Sequence, residues 1–343
     1  MKRLCFLVIC MSIIMGCSTS TSSTKALVDY VDPNIGTAHC RWFFYTPAAI
    51  PFGMAKLAPS TDAHLGNPGG WQAVGYDFRH TSIEGFANFH EFQVGGVVFA
   101  PTVGELQTVP GELENPDGGY RSRFDKKDEV AAPGYYSVLL KDYGVKAELT
   151  AMKRVGFHRY TYPKTELANL IFDIGNKQGE SGEVKDAEVQ YFEDGRVEGY
   201  VITSPVYVNI YQKGADVRMY FSAVLNKKPV QVGTFVKDVV NPGKHQEKGP
   251  GAGLYMTFST EEQEAVEVKV GLSYTSIENA RFNRETEAAD VTFDQAKKNA
   301  TDVWNESLSR IYVEGGKETD KVKFYTGLFH ALLGRGLASD VFS

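Results

Sequence analysis

The chain has 343 residues, of which 43% are hydrophobic and 23% are charged, with a formal net charge of -6. That length suits one large domain with part of another, and the composition is that of a globular protein rather than a disordered one. Basic residues are scattered rather than clustered, which argues against nucleic acid as a partner. The aromatic content of 12% suits β-sheet proteins and proteins that stack on sugars.

The first residues predict an export signal that ends in a lipid attachment site. Lys2 and Arg3 are followed by an apolar run that is too short to span a membrane stably. The run ends in "IMGC", so residues 1–17 resemble a bacterial lipoprotein signal with lipid on the Cys17 thiol, and residues 18–26 are a flexible tether. An ordinary secretory signal is the alternative. With more than one acyl chain, the exported protein would be anchored firmly to a membrane of the cell envelope.

Residues 31–96 combine many aromatic rings with polar side chains in irregular sequence. Aromatic rings can cover the C–H face of a sugar, while Asp, Asn, Arg or His bind its hydroxyl groups. The pattern fits a sugar-binding site and a compact cap of aromatic packing equally well. The aromatic residues include Trp42, Phe43, Phe44, Tyr45, Trp71, Tyr76, Phe86, Phe89 and Phe92, and the polar residues include Arg41, Asp62, Asp77, Arg79, Asn88, His90, Glu91 and Gln93.

Residues 95–274 contain many short runs of β-branched and aromatic residues, separated by Gly, Pro, Asn or Asp. In "VRMYFSAVL", apolar residues alternate with more polar ones, as in a strand with one buried face. Strands without intervening long helices predict antiparallel sheets packed on each other, so we expect a large β-sandwich over residues 27–275. The predicted strands are "VVFAPTVGELQTV", "GYYSVLLKD", "VGFHRYTY", "NLIFDI", "RVEGYVIT", "YVNIYQ", "VRMYFSAVL", "GLYMTFS" and "VEVKVGLSY".

Residues 276–312 predict linker helices. Thr292 and Gln295 have the spacing of a capping box, in which each residue satisfies a backbone N–H of the other. One apolar stripe follows at helical spacing. Its residues are Ala296, Ala300, Trp304, Leu308 and Ile311.

Residues 313–343 predict one more helix, with Thr319 as its candidate N-cap. This amphipathic helix could dock on the sandwich or be the first helix of a helical domain, and periodicity does not choose between the two. Its predicted buried face consists of Val322, Tyr325, Leu328, Phe329 and Leu332.

Four separated motifs occur in a fixed order along the chain. They are "YVDPNIGT", "TPAAIPFGMAKLAPST", "GYDFRHTSIEGF" and "VKFYTGLFHALL". Together they resemble the N-terminal half of glycoside hydrolase family 92, the bacterial exo-acting α-mannosidases, over essentially the whole mature chain. Common motifs of other enzymes, such as GxSxG, HExxH or a P-loop, do not occur in the sequence.

The resemblance implies a β-sandwich N-domain, connecting helices and a C-terminal (α/α)6 barrel, with the active site between the domains. It implies a bound calcium ion and hydrolysis with inversion, which needs an acid and a base about 6.5–9.5 Å apart. In the family both carboxylates, and most calcium ligands, come from the helical domain. We therefore expect a mainly β chain whose residues 313–343 start a truncated barrel, with no catalytic residue assigned and no activity alone.

The resemblance also implies a set of substrate contacts. The loop "AHCRWFFY" departs from the usual family sequence, as does "ANFHEFQ", and these departures leave the sugar and its linkage open. We expect hydroxyl contacts or ring stacking from His39, Trp42, Asp62, Trp71 and His90, and Asp340 matches a family position near the sugar.

The leading hypothesis is therefore the N-terminal part of an exported, calcium-dependent α-mannosidase that acts on mannose-containing glycans. The alternative from another class is a non-catalytic carbohydrate-binding lipoprotein of the envelope. A purely structural envelope protein is the third possibility.

Overall fold

The computed structural model describes most of the chain, and it contains eighteen strands and four α-helices within these ranges. The described residues are 25–38, 45–61, 75–90, 95–176, 181–334 and 336–342.

The strands are named in chain order. They are β1 (Ala58–Ser60), β2 (Ser82–Ile83), β3 (Gly85–Ala87), β4 (Val98–Val103), β5 (Ser122–Arg123), β6 (Val130–Ala132), β7 (Tyr135–Leu140), β8 (Val145–Ala151), β9 (Val155–Tyr162), β10 (Thr165–Asp173), β11 (Glu183–Tyr191), β12 (Val197–Ser204), β13 (Val217–Leu225), β14 (Gln231–Val236), β15 (Val239–Pro242), β16 (Gln246–Lys248), β17 (Ala252–Thr260) and β18 (Glu264–Ser273). The helices are α1 (Val206–Tyr211), α2 (Ile277–Ala288), α3 (Phe293–Leu308) and α4 (Glu318–Leu333).

Two large sheets organise these strands. The first has the order β1-β3-β4-β10-β17-β14-β15, and the second has the order β16-β11-β12-β13-β18-β9-β8-β7-β6. β2 and β5 form a small separate pair. Every pairing between these named strands is antiparallel. The predicted mainly β, antiparallel architecture is therefore confirmed.

The main hydrophobic core joins residues of both large sheets. Phe99 of β4 and Phe172 of β10 have ring centroids 4.1 Å apart, and Phe221 of β13 lies 6.3 Å from Phe172. Along β13, Met219, Phe221 and Ala223 are fully buried, as the alternation in the sequence predicted. Burying such large apolar side chains is the main favourable term in folding.

The prediction of a strand at "YVNIYQ" is wrong, because this segment forms helix α1. The amide side chain of Asn209 explains the difference, since its Nδ2 donates to the carbonyl oxygens of Pro205 (2.9 Å) and Ala215 (3.1 Å). Its Oδ1 accepts the N–H of Gly214 at 2.9 Å. The Asn209 side chain therefore joins both ends of the connection between β12 and β13. These local hydrogen bonds outweigh the strand propensity of the segment.

Helices α2, α3 and α4 follow the last strand of the sandwich. The capping box of α3 is confirmed, since the Thr292 hydroxyl accepts the Gln295 N–H and the Gln295 side chain accepts the Thr292 N–H. Ile311 was predicted to extend the buried stripe of α3, but it lies beyond the end of that helix and is 47% exposed.

The predicted N-cap of α4 is wrong by two residues. Thr319 lies inside the first turn, and Lys317 holds the N-cap position. The Asp320 carboxylate explains the earlier start, because it accepts the backbone N–H of Lys317 at 3.2 Å and so satisfies a free donor of the helix end. Acidic side chains in the first turn also stabilise the positive end of the helix dipole.

Helix α4 packs through Tyr325, Phe329 and Leu333 against Trp304 of α3. The short 3-10 helix Leu27–Tyr30 covers the same cluster, because Val28 belongs to it. The apolar face of α4 is thus buried by its own chain. None of the helices in the described ranges is long and apolar enough to cross a membrane.

Trp304 connects α3 to the sandwich, and we predict that removing it destabilises the fold strongly. Its side chain is fully buried and donates its indole N–H to the carbonyl oxygen of Ala49 at 2.7 Å. We expect Trp304→Ala to lower the free energy of unfolding by about 3–5 kcal/mol, from lost packing and a cavity. Urea unfolding followed by circular dichroism measures this change. Val303→Ala, at the half-exposed neighbouring position, should stay within about 1 kcal/mol, and equal losses for both variants would contradict the prediction.

Candidate functional site

The predicted site residues divide into two groups. Cys17, His39, Trp42, Asp62 and Trp71 lie outside the described residues, so their predicted roles stay predictions. His90 and Asp340 are described, and both are buried. Glu91 and Phe92 of the third loop also lie outside the described residues.

His90 lies in a closely packed environment. Its ring stacks on Tyr45 with centroids 4.5 Å apart, and its carbonyl oxygen accepts the Tyr45 hydroxyl. Its Nδ1 atom is buried and has no hydrogen-bond partner among the described residues. Burial lowers the pKa of His90 to about 3, and the charge of Lys56 acts in the same direction. The imidazole is therefore neutral near pH 7. One of its ring nitrogens can donate a hydrogen bond to a hydroxyl group, and the other can accept one.

Lys56 is a buried cation beside this histidine. Its Nζ donates to the carbonyl oxygen of Gly334 at 2.7 Å, directly after the last turn of α4. The negative end of the helix dipole lies there, which favours a cation. The backbone of Lys56 also accepts the N–H of His90 at 3.1 Å. Lys56 therefore fixes the end of α4 against the segment that precedes the His90 loop.

Several aromatic residues of the N-terminal segment are packing residues. Tyr45, Tyr76, Phe86 and Phe89 are all buried, and the Tyr76 hydroxyl donates to Oε1 of Glu129 at 2.8 Å. These rings therefore belong to the cap of the sandwich. Of the nine aromatic residues that the sequence singled out, the other five, which include Trp42 and Trp71, lie outside the described residues.

Asn88 occupies a structural position next to this cluster. Its Nδ2 donates to the carbonyl oxygen of Val97 at 2.6 Å, and its Oδ1 lies 2.8 Å from Nε2 of His158. The other nitrogen of His158 lies 2.8 Å from the Tyr160 hydroxyl, so the polar groups of these buried residues form a connected chain. Burial lowers the pKa of His158 to about 3. Asn88 consequently connects the end of β3, in the first sheet, to His158 of β9, in the second.

Asp340 holds the segment after α4 against α2 and the end of β18. Its Oδ2 accepts from the hydroxyl groups of Ser273 (3.0 Å) and Thr275 and from the Asn279 amide (3.1 Å). Its Oδ1 accepts from the Asn283 amide at 2.7 Å. Four donors match the roughly four lone-pair sites of a carboxylate. This arrangement suits Asp340 to anchoring the segment, and its predicted contact with a sugar stays a prediction.

Arg154 reinforces the same anchor. Its Nε donates to the carbonyl oxygen of Ser339 at 2.7 Å, and its Nη2 donates to that of Asp340 at 3.2 Å. The remaining Nη1 pairs with Oε1 of Glu287 at 2.6 Å. Both charged side chains are mostly buried, so the pair and its neighbours form a rigid unit.

Two contacts join the His90 cluster to the Asp340 cluster. Met54 and Ala55 donate their backbone N–H groups to the carbonyl oxygen of Lys153, which precedes Arg154. The ring of Phe89, next to His90, lies 5.0 Å from the ring of Tyr274, next to Ser273. We call the region between these clusters the candidate site. The fold thus links two predicted residues that are far apart in the sequence, through contacts of their neighbours.

Sequence reasoning did not single out Lys56, Arg154 or Asn283, although each of them positions the candidate site. Lys56 carried a usable signal, because it is the one cation in the apolar run "PFGMAKLA". A buried charge is retained when it finds a partner. Arg154 and Asn283 carried no comparable signal, since their partners come from distant parts of the chain.

Within the described residues, no three His, Cys, Asp or Glu side chains gather where a metal ion could bind. The resemblance places most calcium ligands in the helical domain, so the calcium ion stays a prediction, and no step of a reaction is derived through it. Among the described polar groups of the candidate site, the neutral imidazole of His90 could bind a hydroxyl group, because its Nδ1 has no partner among the described residues.

We predict that Asp340→Asn loosens the segment at residues 339–342. The substitution replaces one acceptor oxygen of Asp340 with an amide group that faces other donors. Losing a hydrogen bond to a charged group costs about 1.5–3 kcal/mol of stability. The backbone N–H of Val341, which donates to Asn283 Oδ1 at 3.0 Å, should then exchange with solvent at least tenfold faster. Hydrogen exchange measures this rate. Asp290→Asn, at an exposed position in the turn after α2, is the matched control, and an unchanged Val341 rate would contradict the anchor.

The buried neutral state of His90 predicts a dependence of stability on pH. Its pKa is about 3 in the folded chain and near 6.5 in the unfolded chain, so only the unfolded state takes up a proton between these values. Stability is therefore lost as the pH falls from 6.5, by about 1.4 kcal/mol per pH unit for one histidine. We expect His90→Gln to make the free energy of unfolding less dependent on pH, by the amount that corresponds to about one bound proton. Urea unfolding between pH 6 and 4.5 measures this dependence. The exposed, non-titrating Val230→Ser variant should keep the wild-type slope, and an equal slope in His90→Gln would refute the assignment.

The fold and this geometry can be compared with known proteins. Residues 30–273 match the glycosyl hydrolase family 92 N-terminal domain, and residues 279–343 match the glycosyl hydrolase family 92 catalytic domain. A search among curated proteins finds no match.

Among solved structures, the chain is similar to the family GH92 alpha-mannosidase BT3965 from Bacteroides thetaiotaomicron, with 29% identity and a TM-score of 0.83. The match covers 93% of this chain and 42% of that one. The same relative is known in complex with mannoimidazole. The chain therefore spans less than half the length of this relative.

Two further structures share the fold at lower identity. The GH92 family glycosyl hydrolase CcMan5 has 24% identity and a TM-score of 0.76, over 92% of this chain and 42% of that one. The inverting mannosidase BT2199 from Bacteroides thetaiotaomicron has 22% identity and a TM-score of 0.74. That match covers 92% of this chain and 41% of the other one. With the N-terminal domain matched over most of its length and the catalytic domain following it in order, the chain belongs to glycosyl hydrolase family 92.

Proposed function

We propose that this chain forms the sandwich side of an α-mannoside site and binds mannose-containing glycans as part of an exported, lipid-anchored mannosidase. One observation carries the proposal. Both parts of the chain match one family in order, and a solved relative with 29% identity is an alpha-mannosidase that binds mannoimidazole.

The candidate site supplies chemistry that suits this role. His90 is neutral, and its buried Nδ1 has no partner among the described residues, so a sugar hydroxyl could satisfy it. Lys56 and Arg154 stiffen the two sides of the site through contacts with Gly334 and Ser339. Sites whose polar groups are held in place bind with a smaller loss of entropy.

The acid and base of an inverting hydrolysis are not assigned to the described residues. The one carboxylate of the candidate site that sequence reasoning singled out, Asp340, already accepts four hydrogen bonds. We therefore propose that hydrolysis needs carboxylates other than Asp340, and that this chain binds mannobiose without cleaving it. Release of mannose from mannobiose by the purified chain would overturn this part of the proposal.

Calorimetry with mannobiose tests the binding function. We expect a measurable binding heat for the mature chain, and about a tenfold weaker affinity for His90→Gln, as for the loss of one hydrogen bond in a buried site. The exposed His245→Gln variant and the glucose disaccharide maltose are the controls. Titrations with calcium and with EDTA test the predicted cofactor. The absence of heat under both conditions would favour a structural protein of the envelope.

A further inference from the structure

The first described residues of the chain contact helices α3 and α4. Lys25 pairs through Nζ with Oε1 of Glu318 at 2.6 Å, at the first residue of α4. Three residues later, the Val28 N–H donates to Oδ1 of Asn305 at 3.1 Å. These contacts hold the start of the described chain against the N-terminal end of α4.

The proposed lipid anchor limits how far this end can lie from a membrane. Cys17 precedes Lys25 by eight residues. An extended chain spans at most about 3.5 Å per residue, so Lys25 lies within about 28 Å of an acylated Cys17. This step rests on the lipid anchor in the proposed function. The N-terminal end of α4, which Lys25 contacts, then stays within about that distance of the lipid anchor, close enough to reach the lipid surface.

The surface at that end has the composition of a membrane-contacting region. We call it the anchor-side surface and define it by Lys25, Ile311, Tyr312, Lys317 and Lys321. Ile311 is 47% exposed and Tyr312 is 64% exposed. Tyrosine rings and lysine side chains have apolar bodies and polar ends, which suits the boundary between lipid tails and headgroups.

Contacts show that these residues adjoin one another. Nζ of Lys25 lies 4.3 Å from the centre of the Tyr30 ring, and Nζ of Lys321 lies 5.9 Å from it. The Tyr30 ring lies 5.6 Å from the ring of Tyr325. The Tyr325 hydroxyl accepts the N–H of Val313, the residue after Tyr312, at 3.3 Å. Lys25 and Lys321 thus lie beside Tyr30, and the chain directly after Tyr312 contacts its neighbour Tyr325.

The acidic groups on the same elements limit the net charge of this surface. Glu318 is paired with Lys25, and Asp320 accepts the backbone N–H of Lys317. Glu314 and Asp29 are exposed. Positive and negative charges are therefore nearly balanced, and the attraction to lipid comes mainly from Ile311 and Tyr312.

We propose that the anchor-side surface rests against the phospholipid headgroups of the membrane to which the chain is anchored. The test uses the acylated full chain in vesicles of phosphatidylethanolamine and phosphatidylglycerol that contain a headgroup-nitroxide lipid. A fluorescent label is attached at Tyr312→Cys in a Cys40→Ser background. The control label is at Val239→Cys, because β15 is the far edge of the first sheet from β1.

We expect the label at position 312 to lose at least half its fluorescence to the nitroxide, and the label at position 239 to lose less than a tenth. Ile311→Ser combined with Tyr312→Ser should at least halve the quenching of a label at Lys317→Cys. Val230→Ser, at another exposed apolar position, should leave it unchanged. Equal quenching at positions 312 and 239 would overturn the proposal. If the chain forms a dimer and its label at position 312 is unquenched, the surface contacts a second copy of the chain instead of lipid, and the proposal is overturned as well.

Flotation of the same vesicles separates the two proposals. A chain that does not float with the vesicles would refute the lipid anchor, and this inference with it. A chain that floats with an unquenched label at position 312 would refute the anchor-side surface alone. Cys17→Ser is the control that should not float. Mannobiose binding, measured on the same preparation, reports independently on the sugar site.

Discussion

The burial of Trp304 is the interaction on which the rest of the structure depends. A buried indole must satisfy its N–H, and here the acceptor is the carbonyl oxygen of Ala49, in the segment that leads to β1. The same ring lies 4.6 Å from Phe329 of α4. The sandwich, α3 and α4 therefore meet at one side chain, so neither helix can move without breaking a buried hydrogen bond or opening a cavity.

This junction explains how the candidate site is assembled. With α4 fixed by Phe329 and Leu333, its C-terminal end lies where Lys56 can donate to Gly334. The chain then turns back, since Leu337 donates its N–H to Phe52, and reaches the carboxylate anchor at Asp340. Residues 52–56 and 334–340 thus contribute to one site. A buried lysine is tolerated there because a carbonyl oxygen and a helix dipole replace the water it loses.

The sequence was a good guide wherever structure depends on local pattern. The runs "VGFHRYTY" and "VRMYFSAVL" correspond residue for residue to β9 and β13, and the capping box at Thr292 begins α3 as expected. It failed at α1 and at the start of α4, where single side chains, Asn209 and Asp320, decide the backbone path. Periodicity does not contain that information, because each of these bonds depends on which backbone N–H or carbonyl group a single side chain can reach.

The same limit applies to the candidate site. His90 could be singled out from its loop, but its neutral state depends on burial and on Lys56, which only the fold reveals. Likewise, the carboxylate of Asp340 is recognisable in the sequence, whereas its four donors come from three different elements. Local patterns therefore identify which residues belong to a site, and tertiary contacts determine their protonation and their freedom to act.

Helix α4 also relates the candidate site to the anchor-side surface. Its N-terminal end pairs with Lys25, and its C-terminal end meets Lys56 through Gly334. The helix has 16 residues, so its ends are about 24 Å apart at 1.5 Å per residue. A surface held near lipid at one end would keep the candidate site away from the headgroups at the other. Because α4 is rigidly packed on Trp304, that separation is set by the fold, and a glycan could approach the site without displacing the anchor.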